Sequence, residues 1–236
     1  MGECIDPRQR LIVALDVSTV EAARKIVAAV GDSALTYKVG MQLYTAQGPA
    51  LVRELVGGGR RVFLDLKYHD IPNTVGAAVR EAAGLGVSIM TVHAAGGVKM
   101  LRAAVEAAEK VDPKLLVLAV TVLTSLGDTE LGTIGIRGTV SEQVLRMTAL
   151  ALANGYQGVV ASAHECAALR EEFGHDFVIV TPGVRPAGSG HDDQARVVTP
   201  AEAIAAGASH IVVGRPITEA SDPAAEARAI LGQIAA

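Results

Sequence analysis

The chain has 236 residues, a length that suits one domain with a sizeable hydrophobic core. Half of the residues are hydrophobic, but only 3% are aromatic and none is Trp, which disfavours a nucleic-acid reader that stacks bases on aromatic side chains. The formal net charge of −4 comes without any basic run, so neither nucleic acid nor an anionic membrane is expected as a partner.

The sequence carries no targeting or metal-binding pattern. Residues 1–8 lack the basic and then apolar order of a signal peptide, and no apolar run approaches the ~18 residues of a membrane span. We therefore expect a cytoplasmic protein. Cys4 and Cys166 are too few and too isolated for a disulfide framework or a zinc site, and the histidines lack metal-ligand spacing. Cys166 is predicted to be a small buried hydrophobe.

Short apolar runs rich in β-branched residues recur along the chain and alternate with longer Ala-rich segments. Such continuous apolar strands, separated by helices, are typical of a parallel sheet that is covered on both faces. The predicted strands are Leu11–Val17, Leu35–Val39, Arg61–Leu66, Val87–Val92, Leu115–Val120, Gly158–Ala161, Phe177–Thr181 and His210–Val213.

Helix starts are marked by four capping-box spacings, at Ser18–Glu21, Thr139–Glu142, Ser162–Glu165 and Thr199–Glu202. Eight strand–helix units in this length predict an α/β fold, a single (β/α)₈ TIM barrel over residues 1–236 with an N-terminal tail at 1–9. An open doubly wound sheet is the alternative, but no G-x-G-x-x-G follows the first strand, so a dinucleotide fold loses its main support.

The segment from Phe63 to Thr74 concentrates charge at the end of the third strand. Asp65 and Lys67 are two residues apart, so in a strand they point the same way with Cα atoms roughly 6.5–7 Å apart. If Pro72 begins the next helix, the N-cap is Ile71, and a later start at Thr74 makes Asn73 the cap; neither makes Asp70 the cap. Two interpretations stay open: an active-site cluster, or a structural ion pair beside an ordinary loop charge.

Chemistry in a barrel lies at the carboxyl ends of the strands. The polar residues predicted there are Asp16, Lys38, Asp65, Lys67, His93, Thr121 and Thr124. A lysine such as Lys38, placed after an apolar strand, needs carboxylates nearby. Lys38, Asp65, Lys67 and Asp70 would form an alternating cluster of two cations and two anions. His93 could serve either as a site residue or as a satisfied structural histidine.

Two connections are long, at residues 123–138 and 182–194, and loops beyond about 12–15 residues usually act as lids or binding loops. Barrels frequently bind phosphate with the loops after strands seven and eight. Arg185 and Gln194 lie in the first of these loops, and Gly214 and Arg215 begin the second. Gly214 would let the backbone approach an anion, and Arg215 can present a bidentate fork. The alternative is that both arginines are solvated surface charges.

These segments together resemble the orotidine 5′-monophosphate decarboxylase family, in its bacterial type. The most specific match is Asp65-x-Lys67-x-x-Asp70-Ile71-Pro72-Asn73-Thr74 on the third strand. Further matches span nearly the whole chain: Leu15-Asp16, Tyr37-Lys38-Val39-Gly40, Leu123-Thr124-Ser125, residues 181–186, Asp193-Gln194-x-Arg196 and residues 213–217.

The resemblance implies a phosphate-binding barrel that forms a homodimer and converts orotidine 5′-monophosphate to UMP without a cofactor or a metal. It implies the following roles: Lys67 donates a proton to C6; Lys38 and Asp65 complete the charged network; Asp70 and Thr74 reach the partner's site; Asp16 binds a ribose hydroxyl; Thr124 binds the pyrimidine amide edge; and Arg185, Gln194, Gly214 and Arg215 hold the phosphate.

The chemistry agrees with this expectation. Decarboxylation of orotidylate leaves a carbanion on a vinyl carbon, so the protein must supply a fixed positive charge and a proton, and Lys67 can supply both. Two rivals remain. One is a magnesium-dependent decarboxylase of sugar-phosphate keto acids on the same barrel, which Ile71-Pro72-x-Thr74 and Lys38 disfavour. The other is a non-catalytic binder of phosphate ligands, which has little use for so costly a buried charge cluster.

Overall fold

Eight parallel strands close into a barrel in the computed structural model, which describes residues 6–186 and 198–235. The strands pair in sequence order, and β1 closes the barrel against β8. Their bounds are β1 Leu11–Ala14, β2 Thr36–Gly40, β3 Arg61–Tyr68, β4 Ile89–His93, β5 Leu116–Val120, β6 Gly158–Val160, β7 Val178–Thr181 and β8 His210–Val213. The predicted (β/α)₈ barrel is therefore confirmed, and the open sheet is excluded.

Helices cover the outside of the barrel. They are α1 Pro7–Arg10, α2 Val20–Val30, α3 Met41–Gln47, α4 Ala50–Gly57, α5 Pro72–Ala83, α6 Gly97–Glu109, α7 Asp128–Thr133, α8 Val140–Leu152, α9 Ala163–Phe173, α10 Pro200–Ala205, α11 Arg215–Thr218 and α12 Pro223–Ile234. No helix between residues 6 and 186 or between 198 and 235 combines the length and apolar character needed to cross a membrane.

The structure differs from the predicted elements at several places. Residues 7–9, which were predicted as tail, begin α1, where Asp6 caps the helix by accepting from the Arg8 N–H. The first strand ends at Ala14 rather than Val17, so Asp16 lies just beyond it. The connection over 123–138 is not a structureless loop, because it contains α7.

Two of the four predicted capping boxes are present, at Thr139–Glu142 and Thr199–Glu202. The other two spacings locate the start of a helix, to within one residue at α2, but not the bonds of its cap. Thr19 rather than Ser18 caps α2, and its side chain accepts from the Ala22 N–H. Ser162 does cap α9, but it accepts from the His164 N–H, and Glu165 is buried beside the helix start. The spacing of two residue types therefore identified where these helices begin but not which atoms meet.

Side chains alternate between two hydrophobic clusters because a strand has period two. One face packs on the helices and forms the large core between barrel and helices. The other face fills the barrel interior with a smaller apolar cluster, made of Ile12, Ala14, Phe63, Ile89, Leu118, Val180 and Val212. This interior is packed with side chains, as in other barrels of eight strands. It forms the floor on which the polar residues at the strand ends stand.

Candidate active site

A cleft of about 290 Å³ opens at the carboxyl ends of the strands. It is lined by residues from or just after seven of the eight strands, all except β4. Eight of the predicted site residues lie in this lining: Asp16, Lys38, Asp65, Lys67, Thr124, Arg185, Gly214 and Arg215. The fold thus brings together residues that are up to 199 positions apart in the sequence.

A row of alternating charges crosses one side of the cleft. Lys38 Nζ lies 2.6 Å from Asp16 Oδ1 and 4.0 Å from Asp65 Oδ2. Lys67 Nζ lies 2.7 Å from the same Asp65 Oδ2. Within one chain the alternating cluster is therefore Asp16, Lys38, Asp65 and Lys67, and Asp16 occupies the place in which Asp70 was predicted. Each ammonium has a carboxylate neighbour, which offsets the cost of partial burial.

Burial increases toward the middle of this row. The side chains of Lys38 and Asp65 are only 11% and 13% exposed, whereas Lys67 is 27% and Asp16 is 59% exposed. Phe63, an apolar floor residue, precedes Asp65 by two positions on the same face of β3. Because apolar side chains lie directly below, the central pair interacts in a medium of lower dielectric than water.

The backbone of β3 is irregular where it carries Lys67. Leu64 pairs with Met90, but the next pair is Tyr68 with Val92, so β3 holds two more residues than β4 over this interval. Lys67 has φ +51°, and in the described part of the chain it is the one non-glycine residue with positive φ. Such backbone is sterically costly and often marks a functional site. The heads of Asp65 and Lys67 meet as predicted, but through a bulge rather than a regular strand.

Thr91 is a buried partner of the charge row that the sequence did not predict. Its hydroxyl donates to Asp65 Oδ1 at 2.9 Å and accepts the Lys67 N–H at 2.9 Å. The residue is fully buried in β4. A threonine within an apolar strand is an ordinary β-former, so nothing in its sequence context singled it out. The available signal was position: Thr91 lies midway between Ile89 and His93, on the face of β4 that points into the barrel.

His93 ends β4 as predicted and is engaged by its surroundings. Its Nδ1 accepts the Ala95 N–H at 3.2 Å, and its ring stacks on His69 with centroids 5.1 Å apart. Burial lowers the pKa of His93, and the nearby His69 and Lys67 lower it further. The imidazole is therefore neutral at neutral pH. These contacts favour the structural interpretation of His93, which is absent from the cleft lining.

Two arginines, Arg185 and Arg215, also line the cleft, after β7 and β8. Arg185 is buried, and its N–H donates to the Val198 carbonyl at 3.0 Å, where Val184 and Val198 form an isolated parallel bridge. Arg215 begins α11 directly after β8. Burial of Arg185 contradicts the alternative in which it is a solvated surface charge. Two cations from β7 and β8 thus line the cleft together with the charge row from β1 to β3.

Neither a positive φ nor crowding calls for a glycine at position 214. Gly214 has φ −109°, and a Cβ placed there would meet Ala14 Cβ at 3.6 Å, an ordinary contact. Close approach of a ligand to this backbone stays a prediction. Gln194 lies outside the described residues.

Asp70 and Thr74 lie away from the cleft of their own chain. Both are exposed and neither lines it. The α5 helix begins at Pro72 with Ile71 as its N-cap, so Asp70 is not the cap, as predicted. Asp70 Oδ1 instead accepts the Ile71 N–H at 2.6 Å. Over residues 6–186 and 198–235, no ion pair joins Asp70 to either lysine.

The remaining candidate groups are structural. In the part of the chain that the structure describes, no group of three or more His, Cys, Asp or Glu side chains could hold a metal ion. Cys166 is buried as predicted, with Sγ 3.4 Å from Thr181 Oγ1, and burial raises the pKa of its thiol. Neither finding adds a second reactive centre to the cleft.

Comparison with known proteins gives consistent results. Residues 9–230 match the model of the orotidine 5′-phosphate decarboxylase / HUMPS family. The orotidine 5′-phosphate decarboxylase of Halorhodospira halophila is 52% identical over 227 residues, which cover 96% of each chain. That of Moorella thermoacetica is 52% identical over 233 residues, covering 96% of this chain and 92% of the relative. The crystal structure of the decarboxylase from Lactobacillus acidophilus superposes with a TM-score of 0.88 at 40% identity, covering 97% of this chain and all of that one.

Proposed function

The chain belongs to the orotidine 5′-phosphate decarboxylase / HUMPS family, and from that premise we propose that it converts orotidine 5′-monophosphate to UMP in pyrimidine biosynthesis. The observation that carries the proposal is the cleft itself. Its lining combines a row of paired lysines and carboxylates, from β1 to β3, with two arginines that follow β7 and β8. That arrangement suits a substrate with a phosphate at one end and a reacting carboxylated ring at the other.

The chemical step needs only groups that the chain supplies. The bond between C6 and the carboxylate breaks, CO₂ leaves, and the electron pair remains on C6. Lys67 stabilises this charge as a fixed ammonium and then gives its proton to C6, and solvent returns a proton to the lysine. Asp65, at 2.7 Å, holds the Lys67 ammonium in place, and Lys38 continues the network. No cofactor takes part in this scheme.

The rest of the cleft positions the nucleotide. In this proposal Asp16 binds a ribose hydroxyl, Thr124 binds the amide edge of the pyrimidine, and Arg185, Gln194, Gly214 and Arg215 hold the phosphate. The phosphate grip lies far from C6, so its binding energy can align the reacting ring without touching it. Burial of Arg185 supports a preorganised grip on that side.

The active unit is proposed to be a homodimer in the cytoplasm, with Asp70 and Thr74 entering the partner's cleft. Their exposure, and their absence from their own cleft, supports this. Large exposed hydrophobic residues follow four neighbouring strands, β2 to β5, at the same end of the barrel, and such surface favours association. They are Met41, Ile71, Val98 and Leu123, exposed by 56%, 66%, 42% and 40%.

The first experiment follows the ultraviolet absorbance of orotidine 5′-monophosphate with purified protein in excess chelator. We expect the wild type to form UMP and Lys67→Ala to form none, while Lys25→Ala, a change at an exposed lysine of α2, behaves as the wild type. No conversion by the wild type would contradict the proposed substrate, and keto sugar phosphates with added magnesium would be tried next. Turnover by Lys67→Ala would contradict the role of that lysine.

The shared site is tested by mixing two inactive variants, Lys67→Ala and Asp70→Ala. Only a mixed dimer contains one cleft with both native residues, so subunit exchange should restore about a quarter of the wild-type sites. Mixing a Lys67→Ala sample with Asp65→Ala is the control, because both residues belong to the same cleft. No recovery in the first mixture, despite exchange seen by mass, would contradict the sharing of Asp70.

A further inference from the structure

The irregular segment of β3 leaves its backbone without regular ladder partners just where the reacting lysine stands. Register with β4 is lost after the Leu64 and Met90 pair and returns only at Tyr68 and Val92. A buried N–H without an acceptor is costly, so the amides of this interval need other acceptors. Thr91 lies on β4 between the two pairs and faces this gap.

The Thr91 hydroxyl fills the gap with two bonds at once. Its oxygen accepts the Lys67 N–H at 2.9 Å, and its own hydrogen goes to Asp65 Oδ1 at 2.9 Å. A hydroxyl has one hydrogen and two lone pairs, so both bonds form without competition. The other carboxylate oxygen, Asp65 Oδ2, stays available for Lys67 Nζ at 2.7 Å and Lys38 Nζ at 4.0 Å.

We propose that Thr91 is a positioning residue for the decarboxylation, holding the left-handed backbone of Lys67 and the carboxylate of Asp65 in one orientation. This inference rests on the proposed function. The hydroxyl bonds to the backbone of Lys67, the proton donor, and to the carboxylate of Asp65, which orients the Lys67 ammonium. One side chain therefore holds the backbone of Lys67 directly and its ammonium group through Asp65.

Its position makes the hydroxyl difficult to replace. Thr91 is fully buried, as are its β4 neighbours Met90 and Val92. Loss of the hydroxyl would leave the Lys67 amide and Asp65 Oδ1 each short of one partner. The bulge could then relax toward a regular strand, and the Lys67 ammonium would move with it. A misplacement of about 1 Å at a reacting group can cost on the order of 100-fold in rate.

The test compares four variants of the full chain. Thr91→Val keeps the shape and removes the hydroxyl, whereas Thr91→Ser keeps the hydroxyl. Thr91→Ala differs from the serine variant only by that oxygen, and it serves if the valine variant does not fold. Thr36→Val is the matched control, because Thr36 is also a buried barrel threonine, but its hydroxyl has no hydrogen-bond partner among the described residues.

Two measurements are made on each variant. Steady-state kinetics with orotidine 5′-monophosphate give kcat and KM separately. Amide hydrogen exchange at Lys67, followed by NMR in the ligand-free protein, reports the bond to Thr91 without any turnover. For Thr91→Val and Thr91→Ala we expect kcat to fall by about 10- to 100-fold with little change in KM, and exchange at Lys67 to quicken. Thr91→Ser and Thr36→Val should remain near the wild type in both.

The possible failures are distinguishable. A wild type that leaves orotidylate unchanged would overturn the proposed function and this inference with it, before any variant is considered. An active wild type with unchanged kcat in Thr91→Val and Thr91→Ala would overturn the positioning role alone. Equal loss of kcat in the serine and alanine variants, with unchanged exchange at Lys67, would also overturn it, since the effect would then come from packing.

Discussion

Replacing Asp65 by Asn tests whether the charge row is held by ion pairing. Asn keeps the shape of the side chain and an oxygen that can accept from the Thr91 hydroxyl, but it removes the negative charge. Lys38 retains Asp16 at 2.6 Å. Lys67 loses the carboxylate at 2.7 Å, which is its one ion-pair partner among the described residues. The variant therefore leaves one ammonium, that of Lys67, without an ion-pair partner among the described residues.

The expected loss lies between two known limits. Exposed ion pairs contribute about 0–1 kcal/mol, whereas breaking a fully buried pair costs about 3–5 kcal/mol. Asp65 is 13% exposed, but Lys67 is 27% exposed and can turn its ammonium toward water. We therefore expect Asp65→Asn to lower the free energy of unfolding by about 2 kcal/mol. In the proposed dimer, Asp70 of the partner would reduce this loss, so all variants are compared at one protein concentration.

Urea denaturation at neutral pH measures the effect as a shift of the midpoint at constant m-value. Asp32→Asn is the matched control, because it breaks a pair with Arg60 at 3.3 Å in which the aspartate is 89% exposed, and its cost should be below about 0.5 kcal/mol. Adding Lys67→Met to Asp65→Asn should recover part of the loss, since the stranded charge is then gone. Equal losses in Asp65→Asn and Asp32→Asn, with no recovery in the double variant, would refute the electrostatic reasoning.

Three further predictions address separate parts of the molecule. Arg215→Ala should lower kcat/KM by about 100-fold or more although its proposed contact is the phosphate and not C6, with Arg53→Ala at an exposed position of α4 as the control; wild-type kinetics would remove Arg215 from the site. Arg170→Ala should lower the free energy of unfolding by about 2–4 kcal/mol in urea and leave kcat nearly unchanged, because this side chain donates to three carbonyls and one hydroxyl below the barrel; a loss of kcat without loss of stability would contradict this. Burial, and then nearby arginines, lower the pKa of His210 from 6.5 to about 4, so its contribution to stability is present above pH 6.5 and is lost as pH falls toward 4, by up to about 3 kcal/mol. His210→Leu should reduce the change of the urea midpoint with pH over that range, whereas His175→Leu, at an exposed position, should not. An equal dependence of the midpoint on pH in both variants would contradict the assignment to His210.

The barrel could be predicted from the sequence because its evidence is local and repeated. Each strand is a short apolar run, and each helix has an Ala-rich segment, so one error in bounds does not change the architecture. The residues at which the strands end were less predictable. The run from Leu11 continues in apolar residues past Ala14, where the strand stops, because hydrophobicity extends into the packed residue Leu15 and does not record the last ladder bond.

The charge row was predicted only in part, because a local sequence pattern describes neighbours along one strand and not contacts between strands. Period two placed the heads of Asp65 and Lys67 together, and the structure agrees. It assumed a regular strand, however, and left-handed backbone at a lysine has no signature in composition or spacing. The pairing of Lys38 with Asp16 depends on the register between β1 and β2, in which Ala14 lies beside Lys38. Register is a property of the closed barrel rather than of either strand.

Thr91 shows why the supporting residues of a site are harder to find than its charges. A charged residue at a strand end is conspicuous because burial of an unpaired charge is costly. A hydroxyl in the middle of a strand costs little and is common, so the surrounding sequence does not mark it as part of a site. What gives it meaning is the two-residue excess of β3 over β4, which creates an amide without a ladder partner opposite this one side chain. The strained lysine and the threonine that holds it are therefore one structural unit, and selection for either would act on both.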